Sequence, residues 1–424
     1  MNTKWILTAV LLSSIMLGGT AEAGSLKGEQ PEAKAGKTAV YRPARADSAN
    51  TISAAKDAMK LSGVRWRGPV INVGLLSGQA EVKIKCLSDS EARINDKIWK
   101  PYKKGQILTV TRSGDQIAIN GEKKKGTVYL MPKGDEEAFS VKGNSYRGAI
   151  KLLPSAYSSG ITVVNAVPME EYLLGVVPSE VSPSWHEDAL KAQAVAARTY
   201  AMYHMGGFSK AGYDVTDDTR SQVYRGTAVE SAATSNAIAE TAGEILTSGG
   251  KPIDAVFHAN GGGYTENSEN VWGSQIQYLR GVKEESSSVV NQPWTKTVSL
   301  AEFQKLLNVG NLKKIELSKL KKGPMKVKDR GVSGRVKSFT VEGSKGKKTV
   351  TGDQMKSWFG LSSTLFDLDV KGKNLVITGY GSGHGLGLSQ WGAEAMAAKN
   401  GDGKEYYKKI LTHYFTGAKV EKIY

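Results

Sequence analysis

The chain reads as an α+β fold, in which a β-rich N-terminal segment precedes a mixed helix-and-sheet domain with glycine-rich loops lining a groove. Three observations lead there. Between Pro69 and Pro132 short apolar runs alternate with polar residues and are broken by Gly, Asp and Asn, the period-two pattern of half-buried strands. From Ser184 onward one segment combines helix-start signals with apolar residues at helical spacing. Glycine supplies 48 of the 424 residues and gathers at 259–263 and 379–392, where the backbone either turns tightly or comes close to a ligand.

Taken in order, the first stretch is M-N-T-K-W-I-L-T-A-V-L-L-S-S-I-M-L-G-G-T-A-E-A-G, with a positive Lys4, an apolar run from Trp5 to Leu17 and the triplet Ala21-Glu22-Ala23. This is the pattern of a cleaved secretory leader over residues 1–23. The run is shorter than the roughly 18 apolar residues of a spanning helix, so export is the expectation and a retained membrane anchor the alternative. Residues 24–62 are rich in Ala, Lys, Glu, Gly and Ser and read as a flexible linker, with a short helix near Ser53 to Leu61. The β-rich segment, 63–140, holds V-I-N-V-G-L-L, A-E-V-K-I-K-C, Q-I-L-T-V-T and G-T-V-Y-L. A second domain is expected over 141–424, opening with the strand pair Y-R-G-A-I-K-L and I-T-V-V-N-A-V.

The main helix follows. Ser184-Trp185-His186-Glu187 fits a capping box, and the pattern continues to a stop at Gly206-Gly207. Leu190, Ala194, Ala197 and Ala201 fall on one face, small enough for another element to approach closely. A second helix is expected over Val229 to Ala242 and a third over Leu300 to Leu307, with lysine-rich hairpins such as S-F-T-V-E-G-S-K-G-K-K-T-V-T-G nearby. The chain closes on a glycine-rich loop running into a helix, G-Y-G-S-G-H-G-L-G-L-S-Q-W-G-A-E-A-M-A-A-K.

The formal charge is +16, and removing the leader takes away one Lys and one Glu and leaves it unchanged. Such a chain attracts polyanions, which for an exported protein means anionic wall polymers or lipid and not nucleic acid. With Cys86 the sole cysteine, no internal disulfide and no cysteine-rich zinc cluster can form.

Several chemistries fail on spacing. His186-Glu187-Asp188-Ala189-Leu190 begins like H-E-x-x-H but has Leu where the second ligand must stand. Ser318-Lys319-Leu320-Lys321 matches S-x-x-K without its companion motifs. The glycines from 379 to 387 lack the spacing of a dinucleotide loop. His384 and Ser389 could be paired as base and nucleophile, although such pairs arise cheaply. His258, in F-H-A-N-G-G-G-Y-T, is either a polar site residue or a hydrogen-bonding turn residue.

Glu180 stands apart. In V-V-P-S-E-V-S-P, residues 176–183, it leaves an apolar strand-like run between Pro178 and Pro183. Prolines restrict themselves and the residues before them, so aiming this carboxyl costs little further entropy. Surrounded by Val176, Val177, Val181 and Trp185, its charged form is disfavoured, as a general acid at neutral pH requires. The competing reading is a solvated loop glutamate near a helix N-terminus.

The run V-N-A-V-P-M-E-E-Y-L-L-G-V-V-P-S-E-V-S-P-S-W-H-E-D-A-L-K-A-Q-A-V-A-A-R-T-Y-A resembles the core signature of the SpoIID/LytB family, the stage II sporulation protein D and amidase-enhancer proteins of bacterial walls. D-V-T-D-D-T-R-S-Q-V-Y-R-G at 214–226, H-A-N-G-G-G-Y-T-E-N-S-E-N-V-W-G at 258–273 and G-S-G-H-G-L-G-L-S-Q-W-G-A at 381–393 are similar in order and spacing. Together they cover roughly 145–424. The resemblance implies a SpoIID-like domain and a lytic transglycosylase acting on peptidoglycan glycan strands stripped of stem peptides, with no cofactor. The family's catalytic glutamate falls on Glu180, in S-E-V here where the family motif is of the S-E-M type. As members of matching motifs, Gln193, Arg198, Gln222, Tyr224, His258 and His384 are implied to support substrate in the groove. Some family members place zinc-binding cysteines in the segment matching 214–226. Here Asp217, Asp218, Arg220 and Ser221 stand instead, so no metal is expected. The amidase-enhancer branch implies the alternative, a non-enzymatic wall-binding partner of a cell-wall amidase, and a polyanion-binding structural protein is a weaker third.

Overall fold

The computed structural model describes residues 68–134, 138–285, 287–321, 323–401 and 405–424. The expected leader, linker and short helix near Ser53 lie outside these residues.

Among the described residues twelve strands come first: β1 Val70–Gln79, β2 Glu81–Cys86, β3 Ser90–Ile94, β4 Lys97–Tyr102, β5 Ile107–Ser113, β6 Gln116–Ile119, β7 Glu122–Lys125, β8 Val128–Pro132, β9 Phe139–Val141, β10 Asn144–Tyr146, β11 Ala149–Pro154 and β12 Ile161–Pro168. They form a sheet in the order β1-β12-β11-β8-β3-β4 and a second in the order β10-β9-β2-β5-β6-β7. Alternation is visible in β2, where Val82, Ile84 and Cys86 are buried while Glu81, Lys83 and Lys85 are exposed. The buried sides of both sheets meet in one core, Val82, Ile84, Leu108, Ile117 and Phe139 from one and Ile71, Val128, Ile150 and Val163 from the other.

The boundary expected at residue 140 is crossed by this arrangement. β1 pairs antiparallel with β12, from Val70 opposite Pro168 to Gln79 opposite Ile161, and β12 pairs on its other side with β11. The β-rich segment and the region after it therefore share a sheet and a core. Local periodicity identifies strands but is silent on partners some ninety residues away.

Helix α1, Met169–Glu180, leaves β12 without a linker, and α2, Glu187–Tyr203, follows it. α2 is buried on more than the one face expected. Leu190, Ala194, Ala197 and Ala201 join the core beneath the sheets. Ala189, Ala192, Val195 and Ala196 join a second core with the C-terminal residues Tyr407, Ile410, Leu411, Tyr414 and Phe415. An alanine-rich sequence suits a helix packed from both sides, because small side chains let neighbours close in. Its cap differs from expectation: His186 is the N-cap, its Nδ1 accepting from the Asp188 N–H at 3.2 Å, while Ser184 pairs with Ser182.

Next come β13 Val215–Thr216, α3 Ala232–Glu240 (shorter than the span expected), β14 Glu244–Ser248, β15 Lys251–Pro252, β16 Phe257–His258 and α4 Ser268–Trp272. A third core belongs to β17 Pro293–Ser299, α5 Leu300–Leu307, β18 Leu312–Glu316, β19 Ser338–Gly343, β20 Gly346–Thr351, α6 Gly352–Phe359, β21 Phe366–Lys371 and β22 Asn374–Tyr380. The last elements are β23 Leu388–Ser389, α7 Gln390–Asn400, α8 Tyr406–Tyr414 and β24 Lys419–Lys422. The glycine-rich loops meet where β16 pairs in parallel with β23, Phe257 opposite Leu388 and His258 opposite Ser389.

Candidate active site around Glu180

The apolar run before Glu180 is helical, which corrects the strand expected there. Glu170 and Glu171 favour the first turn, and Met169, Tyr172, Leu173, Val176 and Val177 bury one side. Two valines beside a proline imitate a strand end locally, yet the burial of Tyr172 and Leu173 with Val176 and Val177 follows the helical period. Pro178 sits inside the helix and contributes no N–H to it. The helix stops two residues later, where the Val181 N–H still bonds Val177 O.

Glu180 is thus presented at a helix C-terminus, half-buried. Its Oε1 accepts the backbone N–H of Val223 at 2.9 Å. Burial pushes the carboxyl above its ordinary 4.5, while the Val223 N–H and the side-chain amide of Gln390 pull it back. The negative end of the α1 dipole also favours the protonated acid. Gln390 lies beside the carboxylate, but its Nε2 completes no hydrogen bond of ordinary geometry with the described protein. Tyr172 and Tyr200 lie close enough for the Glu180 charge to raise their phenols, burial being the larger cause in each.

The segment 214–226 that supplies Val223 is held by its own polar groups. The Thr216 N–H donates to Ser221 Oγ at 3.1 Å, Thr216 Oγ1 to Asp218 at 3.0 Å, and Arg220 Nε to Asp218 at 3.0 Å. Among the described residues no three His, Cys, Asp or Glu side chains gather as a metal site.

The expected substrate-binding residues divide. Arg198 is a correction: it is fully buried, donating Nε and Nη2 to Glu170 at 2.8 and 2.7 Å and Nη1 to Glu244 O. Glu170 also accepts from Tyr424 Oη, so Arg198 clamps the chain's last residue to the base of α1 and offers no surface to a groove. Gln222 and Tyr224 are likewise buried and internally satisfied. Gln222 accepts from Tyr172 Oη at 3.1 Å and donates to Ala197 O at 3.3 Å, and Tyr224 Oη donates to Asn165 at 2.8 Å. Both serve the site indirectly, fixing the backbone on either side of the Val223 N–H. Gln193 lies mid-helix with both amide atoms buried and unpartnered.

The two histidines are neutral. His384 Nδ1 accepts the Leu386 N–H at 3.0 Å, so Nε2 carries the proton and donates to Phe257 O at 3.0 Å; burial and the Arg335 charge depress it to about 4. His258 donates from Nδ1 to Leu386 O at 3.0 Å and leaves a buried Nε2 lone pair without a partner, with burial holding it well below its ordinary value. The rings are 5.4 Å apart. Ser389 is the N-cap of α7, its Oγ accepting from the Gly392 and Gly261 N–H groups, which replaces the nucleophile reading.

These loops wind around buried charge. Glu284 accepts the N–H groups of Gly261 at 3.2 Å and Gly263 at 2.6 Å. A Cβ on Gly261 would lie 2.5 Å from that carboxylate, and one on Gly385 (φ +82°) 2.3 Å from the Arg335 guanidinium carbon. Glycine is required at both positions by close approach. Gln390 and Tyr200, which lie near Glu180 in the fold, were not singled out as site residues; both stood inside the motifs quoted above, but only folding shows which motif members come near Glu180.

With this geometry in view, the comparisons are specific. Residues 157–248 match the family model described as Stage II sporulation protein, and residues 265–387 match a Domain of unknown function (DUF8618). The chain is 33% identical over 319 residues to Stage II sporulation protein D of Bacillus subtilis, covering 68% of this chain and 86% of that one. It is 33% identical over 318 residues to an uncharacterised protein of Brachyspira hyodysenteriae, covering 74% and 81%. To the Amidase enhancer of Bacillus subtilis it is 30% identical over 324 residues, 66% of this chain but 44% of that longer protein. Motif, α+β architecture and similarity along most of its length agree that this chain belongs to the stage II sporulation protein D (SpoIID/LytB) family.

Proposed function

We propose that the protein is an exported, wall-associated lytic transglycosylase that cleaves peptidoglycan strands between N-acetylmuramic acid and N-acetylglucosamine through Glu180. The observation that carries this reading is a single half-buried carboxyl, raised above its ordinary value and held by one backbone N–H. In the first step Glu180 gives its proton to the glycosidic oxygen as the bond to the anomeric carbon breaks. The muramic C6 hydroxyl then attacks that carbon, and the Glu180 carboxylate takes the hydroxyl proton. The product is a 1,6-anhydro end, no water is consumed, and the glutamate returns to its starting state. One carboxyl serves both steps, in place of the pair used for hydrolysis.

Gln390, buried beside the carboxylate, supports Glu180 from within the protein, and His258, likewise buried, keeps an unspent Nε2 lone pair beneath the glycine-rich loops. Digestion of glycan strands lacking stem peptides should yield anhydro ends by mass spectrometry, absent with Glu180→Gln. The similarity to an amidase enhancer favours a second reading, binding to the wall and stimulation of an N-acetylmuramoyl-L-alanine amidase. Wild-type protein that yields no anhydro ends yet raises such an amidase's rate would establish that reading instead.

A further inference from the structure

We propose that Trp391, braced by Trp185, is a stacking platform for an N-acetylated amino-sugar ring next to the bond that Glu180 cleaves. The inference rests on the glycan-cleaving reading for its substrate and on separate observations for its place. Trp185 follows Glu180 by five residues, on the segment that joins α1 to the His186 cap of α2. Trp391 follows Gln390, whose amide lies beside the Glu180 carboxylate. The two indoles meet with centroids 4.7 Å apart and planes at 56°, so one ring leans on the other, and Trp391 keeps part of its surface in solvent.

Their burial is unequal in kind. Trp185 packs against both the core under the sheets and the C-terminal core, whereas Trp391, also half-buried, is a member of neither among the described residues. Its backbone is fixed, the N–H bonding Ala259 O at 3.0 Å in the glycine-rich loop. A large aromatic with a fixed backbone, a braced edge and no core to fill is costly to leave half in water. A pyranose ring suits it, because its axial C–H bonds, polarised by neighbouring oxygens, meet the negative face of the indole. Ring hydroxyl and acetamido groups at the rim then lie near the Glu180 carboxyl, to which the buried Gln390 amide stays turned. A polyanion is a poorer occupant, since an indole face repels phosphate and carboxylate.

The test uses binding in the full chain carrying Glu180→Gln, so that no turnover intervenes, with a linear β-1,4-linked N-acetylglucosamine oligomer as probe. Calorimetric titration should show affinity falling at least tenfold on adding Trp391→Leu, which keeps apolar volume against Trp185 but has no π face. Trp391→Phe should retain most of the affinity, and thermal melts of both variants should match the parent. Equal binding by the Trp391→Leu and parent proteins overturns the platform. So does a loss shared equally by the Phe and Leu variants, which would make indole packing, and not an aromatic face, the cause. Should wild-type protein yield no anhydro ends while the oligomer still binds through Trp391, the cleavage reading fails and the platform stands as a wall-binding site.

Discussion

At the scale of single residues, the sequence pointed to Glu180 for a partly mistaken reason. It read the glutamate as leaving a strand between two prolines, and the structure puts it on the last turn of a helix that contains one of them. The expectation of a raised carboxyl holds in either reading, because Val176, Val177 and Val181 are all buried. Arg198, Gln222 and Tyr224 were legible as members of motifs but not as structural members, because a sequence cannot say whether a polar group spends its hydrogen bonds inside the protein. Three consequences follow at this scale. Glu180→Gln should lower anhydro-end formation about 10²–10⁴-fold, the usual worth of a positioned acid–base group. It should also stabilise the fold at pH 7. A carboxyl whose folded value is raised contributes stability that is complete below its ordinary 4.5 and lost as pH rises through the raised value. Melting temperatures should therefore separate at pH 7, variant above wild type, and converge in acid; a lower-melting variant at pH 7 would contradict the burial argument. Gln390 acts in the opposite sense, since its amide pulls the carboxyl down. Gln390→Leu should move the alkaline limb of the pH–activity profile to higher pH, and a shift the other way would mean that its amide does not stabilise the ionised acid.

At the scale of elements, periodicity reported what each segment is and not what it touches. α5 runs from Leu300 to Leu307 as the pattern required, and the Lys-rich hairpin appears as β19 and β20. The small-residue face of α2 was legible, while its second buried side was hidden by alanine, which suits either surface. That double burial sets a sharp expectation for Ala194, fully buried between α2 and the sheet core. Ala194→Leu should cost about 1–3 kcal/mol by overpacking, and Ala194→Gly about 1 kcal/mol through helix propensity, both measured by denaturant unfolding. The Arg198–Glu170 clamp is tied to elements distant in sequence, accepting Gly243 and Tyr424 at the same carboxylate. Arg198→Ala should destabilise by about 3–5 kcal/mol, because it leaves Glu170 partly buried and unpaired. An unfolding curve unchanged by that substitution would return Arg198 to the list of groove residues.

At the scale of the whole molecule, the +16 charge has two competing uses. Some of it protects edges: β7 terminates its sheet with Glu122, Lys123, Lys124 and Lys125 all exposed, and charged side chains on an edge strand discourage pairing with another chain. Over residues 265–387, however, 20 Lys and Arg stand against 11 Asp and Glu, more than edge protection needs. Charge of that kind attracts anionic wall polymers at long range, over a Debye length of about 10 Å at 0.1 M salt and about 3 Å at 1 M, whereas stacking on an indole is indifferent to salt. If the proposed wall-associated role holds, binding to the wall should have two separable parts. Binding of the Glu180→Gln protein to intact wall sacculi should weaken steeply as salt rises from 0.1 to 1 M. Binding to sacculi stripped of anionic polymers should be weaker at low salt but nearly flat over the same range. Salt sensitivity that persists unchanged after stripping would assign the charge to the glycan itself or to its stem-peptide carboxylates, and would leave the lysines of this region without a polymer to bind.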